Sequence, residues 1–194
     1  MNERIRIIGL VGPSGVGKGY CKDAIMASSP DLFFEPVVVT TRPKRETDGV
    51  DRKAGVSFGE FMAMRIDGTV VFAHQPFGPD THWYGFLSKS LEGDENKVIL
   101  TEVHIDNVEP FKERFGSSVK LIALVADRNY LAKNLAARNT ESDEEVQLRL
   151  KKSLREVNLI QDLSRKNLLD AVIEVDDDNR EKLDILVVGV VESL

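Results

Sequence analysis

The residues Gly12-Pro13-Ser14-Gly15-Val16-Gly17-Lys18-Gly19 follow directly on the apolar run Ile5-Arg6-Ile7-Ile8-Gly9-Leu10-Val11. A β-branched apolar run reads as a buried strand, and a glycine-rich turn opening a helix after it reads as a phosphate cradle. Gly12, Gly15 and Gly17 let the backbone turn tightly, so successive N–H groups converge on phosphate oxygens. The helix that begins here adds the positive end of its dipole to the same anion. Lys18 supplies a mobile point charge for the terminal phosphates. A glycine turn alone would need neither the lysine nor the strand before it. The stretch therefore predicts a nucleoside triphosphate site formed by Gly12, Pro13, Ser14, Gly15, Val16, Gly17, Lys18, Gly19 and the adjoining Tyr20. Gly19 departs from the usual pattern, in which a Ser or Thr hydroxyl after the lysine ligates magnesium.

Two further groups of residues have anion chemistry. Thr40-Thr41-Arg42-Pro43-Lys44-Arg45 is followed by Asp48-Gly49-Val50-Asp51-Arg52-Lys53, a local concentration of basic side chains on an acidic chain. Arginine suits such a site because its planar fork holds two phosphate oxygens at once. A solvated basic loop is the plainer alternative. Arg138-Asn139-Thr140-Glu141-Ser142, with Arg149 further on, lies between two helical stretches and reads as a flap that brings arginines onto a transferring phosphoryl group.

Composition narrows the field. A length of 194 residues suits one domain with a substantial core, and 42% hydrophobic with 30% charged residues is ordinary globular usage. No apolar run approaches the ~20 residues of a membrane span, and no signal-peptide pattern opens the chain. A single cysteine, Cys21, forbids an intrachain disulfide and reads as packed in a helix. These features predict a cytoplasmic protein with no membrane partner. A net charge of −6 argues against broad nucleic-acid binding. His74, His82 and His104 have no metal-ligand spacing.

The elements that must position these residues alternate. Lys18–Ala27 reads as a helix, Phe33–Val39 as a strand, and Thr40–Gly55 as a polar basic loop. Thr69–Ala73 is a short strand followed by a Gly-Pro-rich loop over Pro76–His82. Val98–Val103 and Lys120–Ala126 read as buried parallel strands on either side of a helix over Asp106–Phe115. Helices are predicted over Asn129–Ala137 and Asp143–Leu163, then a strand over Ala171–Val175 and a last helix around Leu183–Val191. This alternation predicts an α/β fold: a mostly parallel sheet covered by helices, with ligands at the carboxyl ends of its strands.

Taken in order and spacing, the three groups resemble the guanylate kinase family, from Ile5 to near the C-terminus. Gly12–Gly19 matches its phosphate loop, Thr40-Thr41-Arg42-x-x-Arg45 its T-T-R-x-x-R, and Asp48-Gly49-Val50-Asp51 its D-G-x-D. Tyr84-Gly85 matches its Y-G pair. Arg138-x-Thr140-Glu141 with Arg149-Leu150 matches its lid, and Glu156 sits where the family has a Glu. Asp176-Asp177-Asp178 is similar to the N-D-D turn beside adenine. The resemblance implies a P-loop kinase: a core over 1–36 and 91–194, a small β-rich acceptor-binding insert over about 37–90, and a helical lid over about 137–144. It further implies a nucleoside-monophosphate kinase that passes the terminal phosphoryl of ATP to an acceptor such as GMP. Lys18, Arg42, Arg138 and Arg149 would be the catalytic residues, and Asp176 would join the loop in binding ATP. Arg45, Arg52 and Tyr84 would bind the acceptor with Arg42. Magnesium would arrive with ATP and be held through water rather than by a direct protein ligand, as in nucleotide kinases that share Gly19. Tyr20 replaces the Thr that usually comes next there.

The resemblance fails at the base. Val38 stands for the family's Ser, Phe72 for the Glu that reads guanine, and Phe86 for the Ser or Thr after Tyr-Gly. Thr101-Glu102-Val103 replaces its Asp-x-Asp, which places the carboxylate of Glu102 one residue out of phase; strand alternation then turns it away unless a bulge intervenes. Arg52 replaces a Tyr, and Asn134 replaces a lid-helix arginine. Val38, Phe72, Phe86, Thr101 and Glu102 are thus the expected acceptor-base residues of a rewritten pocket, and the longer loop from His74 to Trp83 offers Gln75, Asp80 and His82 as substitutes. GMP or dGMP is the leading acceptor. The alternatives are another nucleotide, a phosphorylated sugar such as ribose 1,5-bisphosphate, or a non-catalytic guanylate-kinase-like interaction module. The chain would act as a monomer or homodimer.

Overall fold

The structure, a computed structural model, describes residues 4–43, 53–76, 81–93, 96–137 and 143–193. Its elements run β1 (Ile7–Val11), α1 (Lys18–Ser28), β2 (Phe33–Phe34), β3 (Val38–Thr40), β4 (Lys53–Gly55), α2 (Phe58–Ile66), β5 (Val70–His74) and β6 (Tyr84–Leu87). They continue with β7 (Val98–Glu102), α3 (Val108–Phe115), β8 (Val119–Val125), α4 (Arg128–Ala136), α5 (Asp143–Arg165), β9 (Ala171–Glu174) and α6 (Leu183–Ser193).

One sheet has the order β2-β7-β1-β8-β9. Its pairs β1–β8, β8–β9 and β2–β7 are parallel. Every residue of β1 is buried, as is most of β8. A strand enclosed on both faces needs apolar side chains at consecutive positions, so Ile7-Ile8-Gly9-Leu10-Val11 is a continuous run rather than an alternating one. The second sheet has the order β4-β3-β6-β5; β3–β6 and β5–β6 are antiparallel and β3–β4 is parallel. The chain divides into two compact units, Met1–Pro30 with Thr101–Leu194, and Asp31–Leu100.

Several elements depart from the expected pattern: β4 falls at the end of the expected loop over Thr40–Gly55 and β6 was not marked by apolar patterning, and two further cases have a clear cause. The expected strand Phe33–Val39 is two strands serving different sheets. Phe33–Phe34 pairs with β7, and Val38–Thr40 pairs with β4 and β6. Pro36 lies in the break, where its lack of an N–H forfeits no ladder bond. The helix α2 goes unanticipated by apolar periodicity. Its signal is a capping box: Ser57 Oγ accepts from the Glu60 N–H, and Glu60 accepts from the Ser57 N–H. Replacing such a cap by alanine costs about 1 kcal/mol. Phe61, fully buried, anchors α2 against Val39 and Val70.

Candidate functional site

The donor half lies wholly within the unit formed by Met1–Pro30 and Thr101–Leu194. The loop from Gly12 to Gly17 connects β1 to α1. A Cβ on Gly12 would stand 2.5 Å from the Leu124 carbonyl oxygen. β8 therefore presses backbone to backbone against the loop, and only glycine fits. Gly17 caps α1 with φ 111, a left-handed conformation that returns the chain into the helix. Lys18 extends its ammonium back over the loop, donating to the carbonyls of Gly12 at 2.6 Å and Pro13 at 3.0 Å.

Two helices hold this loop from outside. Asn134 on α4 donates from Nδ2 to the Gly15 carbonyl at 3.0 Å. On α5, Ser153 Oγ donates to the Ser14 carbonyl at 3.2 Å, and the Glu156 carboxylate accepts from the Ser14 backbone N–H. Both polar groups of the Ser14 backbone are thus taken by one helix. Arg149, Ser153 and Glu156 recur at i, i+4 and i+7, so the face of α5 that grips the loop also carries Arg149. Burial pushes the Glu156 carboxyl above its ordinary range, while Lys18 and Lys152 pull it back. Lys152 stands 3.9 Å from it.

Glu102 ends β7 beside the first turn of α1. Its Oε1 is 3.9 Å from Lys22 Nζ and 3.5 Å from where a Gly19 Cβ would lie. Thr101 and Val103 on either side are buried, so the alternation of this strand turns Glu102 toward α1. Asp176 organises the turn after β9: its Oδ1 accepts from the N–H groups of Asp178 and Asn179. Tyr20 is 46% exposed. Cys21 is buried and its thiol is pushed up to about 12 by burial, with Asp184 adding to the effect, so it is a packed neutral group.

The acceptor half lies in the unit Asp31–Leu100. Thr40 Oγ1 donates to the Trp83 carbonyl at 2.8 Å and accepts from the Arg42 N–H at 3.1 Å. Thr41 Oγ1 accepts from the Trp83 N–H at 2.9 Å. The paired threonines therefore tie the start of the Arg42 loop to the residue before Tyr84, and Thr40 and Tyr84 are register partners. Arg42 is buried, with Nη1 on the Pro43 carbonyl at 2.9 Å. Val38 faces Phe86 across β3 and β6, and Phe86 is buried.

β5 does not alternate regularly. Phe72 has φ 54, a conformation that costs a non-glycine residue about 1–2 kcal/mol, and the pairing with β6 shifts between Val71 and His74. The His74 ring consequently lies against Tyr84, with centroids 6.1 Å apart and planes 24° from parallel. Its Nδ1 is 3.1 Å from the Phe72 carbonyl. A bulge of this kind re-aims side chains that spacing alone would misplace. Gln75 Nε2 donates to the Thr81 carbonyl. Arg45, Arg52, Asp80 and Arg138 lie outside the described residues.

The guanylate kinase family model matches residues 4–182. The chain belongs to the guanylate kinase family. A solved guanylate kinase from Anaplasma phagocytophilum is similar with a TM-score of 0.68 at 19% identity, covering 100% of this chain and 87% of that one. A shikimate kinase from Acinetobacter baumannii, solved with shikimate, is similar with a TM-score of 0.53 at 13% identity, covering 99% of this chain and 95% of that one. Both matches share the fold, a P-loop kinase architecture with a mostly parallel central sheet and, here, a second small sheet. Among the described residues no helix is long and apolar enough to cross a membrane.

Sequence pattern marked the phosphate loop and the Thr-Thr-Arg stretch, and the family resemblance marked Tyr84. It gave Asn134 only as a missing arginine and Glu156 only as a family match. Ser153 was recoverable from its helical spacing with Arg149. His74 and Trp83 were not, because a left-handed Phe72 and a cross-strand threonine clamp place them.

Proposed function

We propose that this member of the guanylate kinase family transfers the terminal phosphoryl group of ATP to a nucleoside monophosphate, with GMP or dGMP the leading acceptor. The observation that carries this reading is the donor loop. β8 backs Gly12 at backbone distance, the Ser14 backbone is gripped at both ends by α5, and Lys18 is poised over the loop. Phosphoryl transfer asks of a protein mainly positioning and cationic stabilisation. Lys18 would leave the loop carbonyls for the donor phosphates, and Arg149 would follow from the same face of α5. Arg42, with Tyr84 held beside it through Trp83, would hold the acceptor phosphate.

The residues fit a magnesium ion held through water. Gly19 offers no hydroxyl, and the Glu102 carboxylate stands over that position. Glu102 would hold the ion's water, and the ion when bound would screen the charge of the donor phosphates.

Base recognition is where this chain would differ from its family. Phe72 would stand in place of the guanine-reading carboxylate, and Val38 and Phe86 in place of the family's hydroxyls, so selectivity would rest on size and stacking rather than on paired polar groups. The testing experiment is a coupled ADP-release assay over the common ribo- and deoxynucleoside monophosphates with ribose 1,5-bisphosphate added. Turnover of GMP together with other bases is expected. Turnover of the sugar bisphosphate alone would select the sugar-kinase reading, and no turnover of any acceptor would favour a non-catalytic module.

A further inference from the structure

Beside the donor loop a second group of contacts is assembled from three distant parts of the chain. Asn134 uses both ends of its amide: Nδ2 is spent on the Gly15 carbonyl at 3.0 Å, and Oδ1 accepts from Arg180 Nη1 at 3.5 Å. The Arg180 guanidinium also lies over the Tyr20 ring, 5.6 Å from its centroid. Arg180 is exposed, and Tyr20 is about half exposed. Its backbone is set by the Asp176 turn, whose carbonyl accepts the Arg180 N–H at 3.2 Å. Next to it Lys133 is neutralised by Asp177 at 2.9 Å.

A planar cation on the surface, fixed on one side by an amide that touches the phosphate loop and on one face by an aromatic ring, has a specific use. A guanidinium has five donors in a plane, and Asn134 takes one. Its remaining donors and exposed surface stand at the edge of a loop built for phosphates. A nucleotide whose terminal phosphates fill that loop must carry its base outward past the edge, and a guanidinium plane stacks on bases without regard to their hydrogen-bonding pattern. Lys133 is already paired with Asp177, whereas Arg180 is tied to the loop through Asn134.

We propose that Arg180, positioned by Asn134 and Tyr20, binds the nucleoside end of the donor nucleotide by stacking on its base. This rests on the donor-site reading above and names a further binding residue within it.

The test is direct binding of two probes, ADP and inorganic tripolyphosphate, to the full chain by calorimetry. Arg180→Ala is expected to weaken ADP about tenfold and to leave tripolyphosphate unchanged, since only ADP carries a base. Arg180→Lys is expected to recover little, because an ammonium keeps the charge without the plane. Because Arg180 is exposed, far-UV circular dichroism and the melting temperature should match wild type. Equal weakening of both probes would overturn the proposal by making Arg180 a support of the loop, and so would unchanged ADP binding. The donor reading itself stands apart: it fails if wild type binds neither probe, or if Lys18→Ala binds both as tightly as wild type.

Discussion

The candidate donor and acceptor halves, each proposed here to hold a phosphate, are built in opposite ways. The donor loop is eight consecutive residues whose shape is enforced by backbone contacts: Leu124 against Gly12, Asn134 on Gly15, and α5 on Ser14. The acceptor half is assembled from short strands far apart in sequence. Thr40 and Thr41 reach across to Trp83, and the ring of Tyr84 meets His74 only because Phe72 breaks the strand. A contiguous backbone cradle tolerates little substitution where its turns need glycine, since a Cβ on Gly12 would meet the Leu124 carbonyl oxygen at 2.5 Å. A cross-strand side-chain pocket can be rewritten one residue at a time while its scaffold stays.

That contrast can be broken most forcefully at the two cations. Lys18→Ala should reduce phosphoryl transfer about a thousandfold or more, the scale on which a cation at the transferring group acts, with the fold intact by circular dichroism. Arg42→Ala should instead raise the acceptor KM and leave ADP affinity nearly unchanged in calorimetry. Loss of ADP binding in Arg42→Ala would mean the two halves are not separable in this way.

A smaller effect tests the strained strand. Alanine ordinarily outranks glycine in stability, but at φ 54 the order should reverse. Phe72→Gly should therefore be more stable than Phe72→Ala by about 1 kcal/mol in urea unfolding. The usual order would show that Phe72 is not held left-handed in solution.

The smallest effect concerns the grip of α5 on the loop. The folded protein holds the Glu156 proton to higher pH than the unfolded chain does, chiefly because the group is buried. In that interval the folded state binds more protons, so stability falls as pH rises through it, and the penalty is fully present at neutral pH. Glu156→Gln keeps an acceptor for the Ser14 N–H without the charge. It should melt above wild type at neutral pH, and the gap should close on acidification through the ordinary glutamate range. A gap that is constant with pH would remove the burial account.

The phosphate loop, the buried parallel strands and the long charged helix were legible in the chain because each depends on residues close together. A strand enclosed on both faces must be apolar throughout, a cradle must be glycine-rich, and a half-buried helix must repeat every three or four residues. The division of Phe33–Val39 between two sheets was decided by partners that come from elsewhere, as was the bulge at Phe72. The clearest case is Arg180. Nothing in its neighbours in sequence marks it, yet it meets Asn134 and Tyr20 because β9 and the turn after it deliver it to the loop. Local pattern determined most of the core elements and the glycine-rich loop proposed to hold a phosphate. Only the tertiary structure decided which distant side chains gather around that loop, since contacts between distant segments leave no period in the sequence.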